Sequence, residues 1–192
     1  MPWYLVAGAG LIAFSVWLPW LAAARTTRVE RRADRIAALL LQAGNELSPA
    51  DMAADGELLQ GRFWLLAGAS AEHIDDLEVV EPPIPGTLLV LRNKHYAFQL
   101  AMAPLPPDAV VARDAVPTRE VLAWPLAATG PGHCVFFHAE AAPRAYTRNL
   151  TANYRGLGDY RPPPGAAQAP LIAGSAPTIS YRARADERWI LY

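Results

Sequence analysis

From Met1 to Ala24 the chain carries no charged side chain. A run of this length without charge is costly to leave in water and has few places to fold. As a helix rising about 1.5 Å per residue, Trp3 to Ala24 spans about 33 Å, which matches a bilayer hydrocarbon core of about 30 Å. Trp3 and Tyr4 at one end, with Trp17 and Trp20 near the other, suit the aromatic belts of a membrane helix. A cleaved secretory signal needs a basic start and a shorter apolar core. Ala22-Ala23-Ala24 offers small residues for cleavage, but no basic residue precedes the run, so residues 1–24 read as an uncleaved single-pass anchor. Pro19 removes one helix hydrogen bond and bends the axis there.

The helix is expected to continue past the anchor. Val29, Ala33, Ile36 and Leu40 recur at spacings of four, three and four, one apolar stripe of a helix. Arg25, Arg28, Arg31, Arg32 and Arg35 are expected on another face, as a basic stripe at the membrane surface. Gly44 and Asn45 are stop signals. These features predict one helix from about Trp3 to Ala43, with residues 25–44 as its amphipathic continuation and Val29, Ile36 and Leu40 holding it on a sheet.

Residues 45–192 read as one globular α+β domain in which the long helix packs on a small antiparallel sheet. Ser48-Pro49 is a candidate helix start, with a short helix through Glu57–Gln60 broken near Gly56 or Gly61; Phe63–Leu66 fits helix or strand. Thr87–Leu91 and Tyr96–Leu100 flank the polar Arg92–His95 as a hairpin with a four-residue loop. Further strand candidates are Val121–Trp124, Cys134–His138, Thr178–Arg182 and Arg188–Leu191, with Trp189 in the last core strand. Pro-Gly signals separate them, and the absence of long crossover helices favours antiparallel pairing. Pro162–Pro177 reads as a loop excursion.

The run Pro19-Trp20-Leu21-Ala22-Ala23-Ala24-Arg25, followed by an Arg- and Ala-rich stretch ending in Ala37-Ala38-Leu39-Leu40, resembles the N-terminal helix of type IV pilins. It is closest to the major pseudopilins of type II secretion. The match covers roughly residues 8–43. A second resemblance lies in the Tyr96-Ala97-Phe98-x-Leu100 strand, Ala123-Trp124-Pro125 and Val135-Phe136-Phe137, an order similar to a module of pilin-like domains. The family's processing signal, a basic leader, a glycine and a glutamate five positions into the mature helix, is absent. The resemblance implies a bacterial inner-membrane protein with its domain on the outer side, non-catalytic, serving a secretion or pilus system. In a fibre the stretch Leu5 to Leu21, with Trp3, Phe14, Trp17 and Pro19, would self-assemble through helix packing.

Charge distribution offers a rival. Five arginines follow the anchor and none precede it, which by the positive-inside rule puts the body in the cytoplasm, as a membrane-tethered adaptor with a lipid-facing arginine stripe. The formal net charge of −1 excludes a generally basic surface, and nucleic acid is not an expected partner.

Catalytic and cofactor signals are weak. His133, Cys134 and His138 have zinc-ligand chemistry, but a zinc site needs three or four ligands; the simpler reading is a buried cysteine beside a partly exposed histidine. Asp159, Asp186 and Glu187 are scattered oxygens without the loop spacing of a calcium site. Cys134 with His95 or His138 is the nucleophile candidate, and no nucleophile elbow surrounds Ser70, Ser175 or Ser180. The acidic run Glu72–Glu81 reads as a solvated helix end or loop. Asn149-Leu150-Thr151 matches a glycosylation tripeptide. No metal, cofactor or catalytic residue is expected.

Overall fold

The computed structural model describes residues 3–48, 56–70, 74–81, 84–103, 118–140, 142–168 and 179–192, and their side chains except those of 3–20 and 184. The chain is α+β. Helix α1 runs Trp3–Asn45 and α2 runs Gly56–Ala69. Eight strands follow: β1 Glu78–Val79, β2 Leu89–Arg92, β3 Tyr96–Met102, β4 Arg119–Pro125, β5 Val135–Ala139, β6 Ala142–Thr147, β7 Ser180–Arg182 and β8 Arg188–Leu191. They form one antiparallel sheet in the order β1-β2-β3-β4-β5-β6-β8-β7, almost a pure meander.

The central strands are buried on both faces, so their side chains alternate between two cores. One core lies under the helices: Ile36, Leu40, Leu59 and Phe63 meet Tyr96, Phe98, Leu100, Val121, Ala123 and Phe136. The other lies under the segment 148–168, where Leu122, Trp124, Val135, Phe137 and Trp189 meet Tyr154, Ala166 and Ala167. Ile36 and Leu40 have no exposed surface, and Val29 packs half-buried against the same core.

Several expectations are corrected. α1 passes through Gly44 to Asn45; that glycine is not a stop but a point of close approach, since a Cβ there would stand 3.0 Å from Leu100 Cδ2. α2 is not broken at Gly61. That residue has open space around it, and its cost of about 1 kcal/mol against alanine is outweighed by burial of Leu59, Phe63 and Ala67 on one face. Phe63–Leu66 is therefore helix, whereas Pro49–Asp51 of the candidate helix start lie outside the described residues. The hairpin turn is Asn93–His95, because Arg92 still pairs with Ala97 and belongs to β2. Cys134 precedes β5 rather than opening it, and β7 begins at Ser180; Thr178 lies outside the described residues.

The sheet is larger than expected, because β1 and β6 escape local reading. β6 contains Pro143, which has no N–H to give a ladder. It is tolerated because β8 pairs with β6 only over Ala145 and Tyr146. Glu78 of the acidic run is the short edge strand's first residue and pairs with Arg92 across it, its carboxylate accepting from the guanidinium at 2.9 Å.

Candidate functional site

At the end of the sheet where α1 carries Arg25, the β2–β3 turn and the β4–β5 loop line one hollow. The β2–β3 turn is built by Asn93, whose side-chain oxygen accepts from the backbone N–H groups of His95 and Tyr96, both at 2.8 Å. The β4–β5 loop is tied to that turn by Leu126 N–H donating to the His95 carbonyl at 2.8 Å. Gly132 in this loop has φ +105, and a Cβ there would meet the Tyr96 ring at 2.7 Å, so only glycine fits. Tyr96 Oη donates to the Cys134 carbonyl at 2.9 Å and closes the loop from below. The result is a rigid rim holding Arg25, Lys94 and His95 side by side around a hollow of about 290 Å3.

Burial lowers the His95 pKa from its ordinary value, and the neighbouring charges of Lys94 and Arg25 lower it further, against the opposing pull of Asp76. At neutral pH the imidazole is therefore mostly neutral, and Lys94 and Arg25 supply the fixed positive charge. Asp76 is bound to Arg32, whose guanidinium donates to it at 2.9 Å. That bond, more than any other influence, holds the Asp76 carboxyl below the usual carboxylate range.

α1 is fixed to the β4–β5 loop and to β5 by acids, not by its arginines. Glu30 accepts from the backbone N–H groups of His133 at 2.9 Å and Cys134 at 3.3 Å. One turn on, Asp34 Oδ1 is 2.8 Å from His138 Nε2 and also accepts from the Tyr192 hydroxyl. Burial pushes the Asp34 carboxyl up, but the bonds from His138 and Tyr192, with the charges of His138 and Arg144, outweigh it and hold it below its ordinary value.

This arrangement takes apart the cysteine–histidine candidates. Burial, followed by the charge and hydrogen bonding of Glu30, pushes the Cys134 thiol up to about 12, away from a reactive thiolate. His138 is buried and engaged with Asp34, His133 is exposed, and among the described residues no histidine hydrogen-bonds the thiol. Asp186 pairs with Arg182, and the Glu187 carboxylate is filled by Thr147 and by the N–H groups of Thr151 at 2.8 Å and Ala152 at 2.6 Å. Among the described residues no group of three or more metal-binding side chains occurs. The Asn149 amide is spent on the Tyr154 backbone, which it meets at 2.6 and 2.7 Å.

Of the expected stripe, Arg25, Arg28, Arg31 and Arg35 are exposed, while Arg32 turns to Asp76. Leu21 is 51% exposed. The side chains of Trp3, Leu5, Phe14, Trp17 and Pro19 lie outside the described residues. Among the described residues no helix is long and apolar enough to cross a membrane. Arg25 was legible in the sequence as the first charge after the apolar run; Lys94 was read only as turn polarity and His95 as a cysteine partner. Nothing in their spacing signals that they meet Arg25, because the docking of α1 on the sheet brings them together.

No family model matches this sequence, and neither the curated proteins nor the solved structures contain a match.

Proposed function

We propose that this chain is a membrane-anchored, pilin-like structural or assembly protein of a bacterial secretion or pilus-type system, with a non-catalytic domain outside the inner membrane. The observation that carries the reading is α1. A single unbroken helix of 43 residues joins a charge-free first part to a second part whose Ile36 and Leu40 are sealed in the domain core. Such a helix transmits the anchor's position to the sheet, since Glu30 ties it to the β4–β5 loop and Asp34, one turn on, to β5. Its apolar stretch Leu5 to Leu21 then has two homes, lipid before assembly and neighbouring copies of itself afterwards. The resemblance of Pro19–Leu40 to pilin helices supports the same reading.

Reporter fusions at Tyr192 test it, one active only outside the membrane and one fluorescent only inside. An outside C-terminus is expected, together with resistance of the protein to alkaline carbonate extraction. An inside C-terminus overturns the pilin-like role. The exposed Arg25, Arg28 and Arg31 favour the second reading in that case, a tethered adaptor facing the cytoplasm and its anionic lipids.

A further inference from the structure

The rim brings Arg25, Lys94 and His95 to one hollow, and among the described residues no carboxylate lines it. Among the described residues neither Arg25 nor Lys94 has an ion-pair partner. Asp76, the acid whose charge reaches His95, is held by the Arg32 guanidinium. Among the described residues, the backbone N–H groups of Thr129, Gly130 and Gly132 make no hydrogen bond, and all three residues line the same hollow. Cations and amides without a protein partner, gathered in the lining of one hollow, are the groups an oxyanion binds.

The geometry points to a phosphate-binding pocket, in which Arg25, Lys94, His95 and the loop amides of Thr129, Gly130 and Gly132 hold the phosphate of an anionic phospholipid headgroup. Arg25 is the first charge after the charge-free Met1–Ala24, so an inserted helix sets the hollow at headgroup depth. The source of the phosphate rests on the membrane-anchor reading; the chemistry of the pocket does not. Binding there ties the β2–β3 turn and the β4–β5 loop to the bilayer surface and fixes the rotation of the domain about α1.

The test uses the full chain in nanodiscs of phosphatidylcholine, with and without phosphatidylglycerol, read by backbone hydrogen exchange over 92–96 and 126–134. With phosphatidylglycerol both segments should exchange several-fold more slowly. Arg25→Ala or Lys94→Ala should each weaken lipid affinity roughly fivefold, and raised salt should do the same. Both residues are exposed, so an unchanged unfolding midpoint shows that the variants fold. Equal exchange in the two lipids overturns the pocket. Equal protection by inorganic phosphate in phosphatidylcholine discs overturns the lipid source and keeps the phosphate chemistry. Carbonate extraction of the wild type is scored separately. A chain that is extracted defeats the anchor, and the phosphate arm, run in detergent solution, then decides the pocket alone.

Discussion

The two faces of the sheet are covered by different kinds of structure, and they are held differently. Under α1 and α2 the contacts are mostly apolar, with polar ties confined to the outer turns of α1 and its end, where Arg119 donates to the Leu47 carbonyl at 2.8 Å. Under the segment 148–168 almost every ordered stretch is tied by a polar side chain. Trp124 Nε1 donates to the Gly156 carbonyl at 2.6 Å, and Tyr181 Oη donates to the Ala167 carbonyl at 2.6 Å. Glu120 accepts from the Gly165 N–H, and Glu187 from those of Thr151 and Ala152. A helix satisfies its own backbone before it docks, so apolar contact does most of the holding and Glu30 and Asp34 add to it. A loop laid on a sheet brings unpaired amides and carbonyls, and buried side chains must satisfy them. Among the described residues the loop face meets this demand incompletely, since the buried Gln99 amide and Trp189 indole N–H find no partner.

The contrast can be broken most forcefully on the helix face. Leu40→Asp places an unpaired charge where no surface is exposed, and should cost more than about 4 kcal/mol. Loss of protease resistance over the whole domain, with Ile36→Asp behaving alike, is the expected result; a resistant domain would show that α1 is not part of the core.

Glu187→Ala should cost about 3 kcal/mol, because it strands the amides of Thr151 and Ala152 and the Thr147 hydroxyl. Hydrogen exchange should rise over 148–168 while α1 stays protected. Uniform loosening of both faces would mean that they are not held independently.

Gly132→Ala forces a side chain into the Tyr96 ring at positive φ, and should cost about 2 kcal/mol in chemical denaturation. Gly158→Ala, with open space around it, is the control and should leave the unfolding midpoint in place.

A smaller effect concerns pH. The folded Asp34 pKa lies below its ordinary 3.8, so its contribution is complete above that value and is lost as pH falls through the folded one. Asp34→Asn should flatten the acid limb of the stability profile. At the alkaline end the Cys134 thiol is raised from 9.0 to about 12. It favours the fold below pH 9.0, and that contribution fades as pH rises towards about 12. Alkylation at pH about 8 should accordingly be far slower than for a free thiol. Least of all, Arg92→Ala breaks an exposed pair with Glu78 and should shift stability by less than about 0.5 kcal/mol.

Much of the architecture was legible because its signals are local. The stripe Val29, Ala33, Ile36, Leu40 identifies the packed half of α1 without reference to any partner. The apolar runs of β2 to β5 and β8 announce strands because each is long enough to show its own pattern. β6 did not, as Pro143 and Arg144 argue against a strand until β5 supplies the ladder. α2 runs through Gly61 only because Leu59, Phe63 and Ala67 find a core to fill. The sequence by itself therefore determined the charge-free run, the long helix and the α+β class, all consequences of spacing within one element. The pairing of β6 with β8, the spending of Glu30 on the β4–β5 loop and of Asp34 on β5, and the meeting of Lys94 and His95 with Arg25 were decided only by tertiary structure. Such contacts join residues far apart in the chain, and the sheet's register together with the docking of α1 places them, which no local periodicity encodes.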